Sequence, residues 1–93
     1  MFEYILKKIR QKISNSDYVM TLHAEEEMNN DGFDIFDVEK GILTGKIIER
    51  QKELKTGEWK YLIVGKTFSM KSVAIIVKLS LYGKLVIITV YKI

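Results

Sequence analysis

The chain has no cysteine, no proline and a single histidine. Without Cys, neither disulfides nor thiolate metal ligands can contribute, which suits a reducing cytoplasm. Without Pro, edge strands lose one protection against pairing with other chains, and lysines on the outer strands are left to discourage it. One His and no Cys leave too few ligands to close a zinc site, so no metal is expected. Long apolar runs are missing too, and no stretch reaches the roughly 20 residues of a membrane span. The opening segment MFEYILKKIRQKI alternates apolar and basic positions and lacks the uninterrupted apolar core of a signal peptide. It reads as an amphipathic surface helix, and no membrane partner is expected. Chemistry that needs Ser-His-Asp, a thiol nucleophile or a Gly-rich phosphate loop finds no support. Gly65-Lys66-Thr67 lacks the preceding Gly-x-x-x-x of a P-loop and reads as a hairpin turn. No cofactor is implied.

What is present is a partitioned charge. The net charge is only +3, but residues 15–45 hold eight acids against Lys40 alone, whereas residues 46–93 hold ten bases against three acids. An acidic middle and a basic C-terminal half suit a protein with two differently charged faces.

The 93 residues form one domain without repeats or linkers, divided into an N-terminal helix and turn (1–17) and a core (18–91). Phe2, Ile5, Leu6, Ile9 and Ile13 make one helical stripe, broken by Ser14–Asp17. Tyr18–Leu22 is a short extended entry to a second helix, which runs from about His23 to Asn30 and stops at Asn29–Gly32. Asp34 reads as an N-cap, with Asp37 completing a capping box. Ile35, Val38, Ile42 and Leu43 form the buried face of this third helix, and Gly45 suits its C-cap. The period then changes to that of strands at Ile47–Gln51, Trp59–Gly65, Ser72–Leu79 and Leu85–Tyr91. Short connections make these an antiparallel meander. The expected fold is α+β, with N-terminal helices packed on a curved antiparallel sheet of about four strands.

Thr21–Met28, TLHAEEEM, holds the chemistry. Helical spacing puts His23 and Glu27 at i and i+4 on one face. A carboxylate there could orient the imidazole for acid–base catalysis. Alternatively His23 simply begins a helix, with Glu25 and Glu26 as charges that suit its positive end.

The order of elements resembles a small bacterial domain family marked by an H-A-x-x-R-M helix, grouped with the RelE/ParE-like toxin superfamily. The points of agreement are His23-Ala24, Met28, Gly32, Asp37-Val38, Gly45, Ile48-Glu49, Tyr61, Gly65 and Thr89-Val90-Tyr91. The resemblance spans Tyr18 to Tyr91, with MqsR- and BrnT-type toxins among the relatives. It implies a RelE-like fold and a toxin of a type II toxin–antitoxin pair. It also implies a small DNA-binding antitoxin as partner, and cleavage of messenger RNA, free or on the ribosome, without a metal. In such nucleases the 2′-hydroxyl of RNA is the internal nucleophile. Where the family has Arg, this chain has Glu27. A misplaced charge in a dry site would weaken a phosphorane-like transition state by several kcal/mol. Glu27 then serves as a proton acceptor, another cation such as Arg50 takes over, or the chain is not a nuclease.

On this reading His23 is the general acid/base, oriented by Glu27, with Arg50 and Tyr91 contacting the phosphate. Arg50, Trp59, Tyr61, Lys66 and Lys78 are the expected RNA-binding residues, because Trp59 and Tyr61 share one strand face and the lysines give the sheet a positive potential. A second reading keeps the fold but makes it a non-catalytic protein-interaction domain.

Overall fold

A computed structural model describes residues 2–80 and 82–93; Met1, at the head of the expected segment 1–17, lies outside them. The elements run α1 (Glu3–Ser14), β1 (Tyr18–Met20), α2 (Leu22–Asn30), α3 (Ile35–Thr44), β2 (Lys46–Lys52), β3 (Trp59–Lys66), β4 (Ser72–Leu79) and β5 (Leu85–Lys92). The sheet order is β1-β5-β4-β3-β2. Strands β2 to β5 form the expected antiparallel meander. Among the described residues the sheet has five strands and is mixed, not four and purely antiparallel. The extended entry to α2 is β1, which pairs parallel with β5 through Tyr18↔Leu85, Val19↔Val86 and Met20↔Ile87.

Helices α1, α2 and α3 feed one core. Ile9 and Ile13 of α1, Ala24 and Met28 of α2, and Val38 and Ile42 of α3 meet Tyr61, Ile63, Val73, Ile75, Val77, Leu85, Ile87 and Val90. Alternation along β3 sends Tyr61, Ile63 and Gly65 to that side. Lys60, Leu62, Val64 and Lys66 therefore share the other face, where Leu62, Ile76 and Ile88 remain half-buried.

Local capping agrees with the sequence. The Asp34 carboxylate accepts from Asp37 N at 2.9 Å, and the Asp37 carboxylate accepts from Asp34 N at 3.0 Å. Leu43, expected in the core, is 39% exposed instead. Its place on the buried face of α3 is taken by Gly41, because the helix lies too close to the sheet for a larger side chain. A Cβ on Gly41 would sit 2.5 Å from Val73 Cγ1, and one on Gly45 would sit 2.7 Å from Ile63 Cγ2. Gly45 is the C-cap residue, but its φ of −85° is open to any residue, so close approach and not conformation requires glycine there. The Thr44 hydroxyl locks the crossing, donating toward Lys40 O and Lys66 O and accepting from Lys66 N at 3.1 Å.

Candidate active site at the outer edge of β5

Strand β1 covers only the first three residues of β5, so the rest of that edge needs other partners. Thr21 N donates to Ile87 O at 3.0 Å, and the Thr21 hydroxyl donates to Ile88 O at 3.2 Å. The same hydroxyl accepts from Ala24 N and so caps α2. Further along, Glu27 Oε1 accepts from Val90 N at 3.2 Å, and Asp31 Oδ2 accepts from Lys92 N at 2.9 Å. The spacing explains the match. Four helical residues rise about 6 Å, and two strand residues about 6.7 Å. Two carboxylates one turn apart therefore reach alternate N–H groups of the strand. An arginine at position 27 has no acceptor to offer Val90, whereas the carboxylate does.

That same oxygen holds the histidine. His23 Nε2 lies 3.2 Å from Glu27 Oε1, and the His23 side chain is 69% exposed. The imidazole is thus presented to solvent on one side while its partner is fixed to the sheet on the other. Tyr91 follows Val90 and turns to the open face, 39% exposed, where it lines a groove of about 400 Å³ with Thr89, Ile88, Ile76, Leu62 and Lys60. Glu49 and Gln51 of β2 complete the groove wall.

The other expected site residues lie elsewhere. Arg50 is on β2, the opposite edge strand, three strand spacings or roughly 14 Å from β5. It also points to the helix side of the sheet, its guanidinium carbon 4.2 Å from the Trp59 ring centroid and 5.9 Å from that of Phe2. The proposed catalytic quartet is therefore split: His23, Glu27 and the strand carrying Tyr91 meet, and Arg50 does not join them. Trp59 and Arg50 do come together, as a cation stacked on an indole with Lys52 alongside. Tyr61 shares their face, as expected, but is only 5% exposed and meets Phe2 edge-on, so its ring belongs to the core and not to a base-stacking platform. Lys66 and Lys78 lie on the open face at opposite ends. Lys66 Nζ donates to Ser72 Oγ at 2.8 Å, and Lys78 Nζ pairs with Glu58 at 3.2 Å. Lys60 pairs with Glu53 at 3.1 Å, and this lysine, followed by Thr56, holds the Glu53 carboxyl below its ordinary range. Among the described residues no three His, Asp or Glu side chains are grouped to hold a metal.

Asp31 and Thr21 were missed as site-building residues. Their partners lie more than 60 positions away, and only the sequence signals of a turn and a cap mark them. No helix of the described residues is long and apolar enough to cross a membrane. Neither a curated protein nor a solved structure matches the chain. A family model, Domain of unknown function (DUF4258), matches residues 20–92, from the last residue of β1 to the end of β5. The chain belongs to the DUF4258 family.

Proposed function

We propose that this chain is a toxin-like component of a bacterial toxin–antitoxin pair of the RelE/ParE-like type, working in the cytoplasm as a metal-independent RNA endonuclease. The observation that carries this reading is the meeting of an exposed imidazole, a carboxylate anchored by a backbone N–H, and the strand bearing Tyr91 at one sheet edge. An enzyme needs its proton-transfer group held in place yet open to substrate, and His23 meets both conditions. In the reaction, His23 takes the proton of a ribose 2′-hydroxyl as that oxygen attacks the adjacent phosphorus. The bond to the 5′-oxygen breaks, and that oxygen takes the proton back from the His23 imidazolium, giving a 2′,3′-cyclic phosphate, a 5′-hydroxyl and a neutral His23. Tyr91 donates a hydrogen bond to the reacting phosphate, and Glu27 positions the imidazole. Arg50 belongs to RNA binding and not to this step. The partner is an antitoxin that blocks the same edge or the open sheet face. Induced expression in a bacterial host should arrest growth and deplete messenger RNA, and His23→Ala should abolish both effects. A wild type that leaves growth and RNA intact would remove the nuclease reading.

A second reading, a non-catalytic interaction domain, is favoured by the separation of Arg50 from His23 and by the ion-paired state of Lys60 and Lys78. It predicts a tightly co-purifying protein partner together with RNA affinity too weak to detect at physiological salt.

A further inference from the structure

The seam between α1 and β2 carries features that the His23 edge does not use. Arg10 crosses it: one terminal nitrogen donates to Gly45 O at 2.8 Å, while its Nε is shielded from solvent and has no partner among the described residues. A groove of about 430 Å³ on one side of Arg10 is lined by Phe2, Leu6, Lys46 and Ile47. A second concavity of about 650 Å³ runs along α1 past Lys7, Gln11, Ser14 and Asn15. Glu3 also lines both. From Phe2 the band continues to Arg50, Trp59 and Lys52.

We infer that this seam is the track along which a single-stranded RNA lies, its phosphates on Lys7, Arg10, Lys46, Arg50 and Lys52. The inference rests on the RNA reading above and adds a binding path to it. Three observations point to a nucleic acid strand. The cations line one path instead of scattering: Arg50 and Lys52 share the helix side of β2 through their register with Tyr61 and Trp59, and Lys46, the first residue of that strand, lines the groove beside Arg10. Planar side chains interleave with them, with Phe2 and Trp59 flanking Arg50, which is the combination that sequence-tolerant single-strand binding uses. Finally, Lys7, Lys46, Arg50 and Lys52 are exposed, and among the described residues no salt bridge engages them, unlike Lys60 and Lys78 on the open face. Lys7 and Arg10 lie on α1, outside the residues 20–92 that the family model matches.

The test uses a fluorescein-labelled 12-mer of 2′-O-methyl RNA, which lacks the nucleophilic hydroxyl and stays intact, with anisotropy read across a potassium chloride series. Two double variants, Lys7→Gln/Lys46→Gln and Arg50→Gln/Lys52→Gln, each remove two phosphate contacts. At about 0.7 per contact, each should flatten the slope of log affinity against log salt by about 1.4 and weaken binding ~25-fold at 0.1 M. A control of equal charge, Lys71→Gln/Lys84→Gln in the β3–β4 and β4–β5 turns, should stay within about twofold of wild type, since those residues lie off the track. Among the described residues the exposed side chains of Lys7 and Lys46 make no hydrogen bond or salt bridge, so loss of binding there reports the surface and not unfolding. If wild type binds and the control pair loses as much as the seam pairs, or the seam pairs lose nothing, the seam assignment is overturned while the RNA reading stands. If wild type binds no RNA at all, both are overturned. Displacement by polyglutamate as effective as by unlabelled RNA of equal charge would assign the seam to an acidic protein segment instead.

Discussion

Replacing Gly65 by Ala tests how α3 is seated on the sheet. A Cβ at this position would overlap the Gly41 carbonyl oxygen and lie 2.8 Å from the Gly41 carbonyl carbon and 3.0 Å from Gly45 Cα. Every one of those atoms is backbone, so no side chain can rotate away and the helix itself must lift by about 1 Å. A gap of that size forfeits a quarter to a half of the dispersion contact across it. The residues that feel it first are Val38 and Ile42, both fully buried. At about 1.5–3 kcal/mol of burial each, losing up to half from both costs roughly 2–3 kcal/mol. The Thr44–Lys66 lock adds about 1 kcal/mol if it breaks. Stiffening of the unfolded chain returns about 0.5 kcal/mol. The net expectation is a loss of about 3 kcal/mol, near the upper end for overpacked cores. For a domain of this size that lowers Tm by roughly 12–24 °C. Urea unfolding followed by Trp59 fluorescence, with thermal melts by circular dichroism, measures it directly. Gly57→Ala is the control: its φ is +74° with open space around it, so it should cost only about 1 kcal/mol. If Gly65→Ala came within about 0.5 kcal/mol of wild type, the close-packed crossing of α3 over β3 would be wrong.

Thr21→Ala removes both the cap of α2 and the bond to Ile88 O, and should cost about 1–2 kcal/mol in urea unfolding. Glu27→Arg should cost about 1–2 kcal/mol because Val90 N loses its acceptor; amide exchange at Val90 should accelerate, and unchanged exchange there would refute the edge-capping role. Tyr18 donates to Glu39 at 2.6 Å, and burial, then the Glu39 hydrogen bond, raise its phenol above the ordinary range. The fold therefore keeps the proton that the unfolded chain releases above about pH 10. This contribution is full below that pH and falls away as pH rises beyond it. The stability gap between wild type and Tyr18→Phe should accordingly be constant from pH 6 to 9 and shrink toward pH 11.

The sequence announces what depends on near neighbours. The Asp34–Asp37 capping box is complete within four residues, the α1 stripe is a single period, and the alternation in β3 shows that Trp59 and Tyr61 share a face. Which face is buried is decided by packing against Phe2 and the helices, so the stacking role expected of Tyr61 failed on information the strand does not contain. Strand β1 has three residues and a parallel partner 67 positions on, too short for a periodic signal. The i, i+4 spacing brought His23 to Glu27 correctly, whereas the bond from Val90 to Glu27 spans 63 positions. Arg50 is different: a meander of four strands already puts the first and last three spacings apart, so its separation from Tyr91 was implicit in the expected topology.

The central claim is that the His23 edge is where RNA is cut and that Arg50 acts only in holding RNA. Single-turnover cleavage of a saturating RNA oligonucleotide by purified protein in EDTA tests it. Wild type should produce 2′,3′-cyclic phosphate ends. His23→Ala should lower the rate by roughly 10²–10⁴-fold, and Arg50→Ala should leave the saturated rate unchanged while raising the RNA concentration needed to reach it. Cleavage by His23→Ala at the wild-type rate, or none by wild type, would contradict the account.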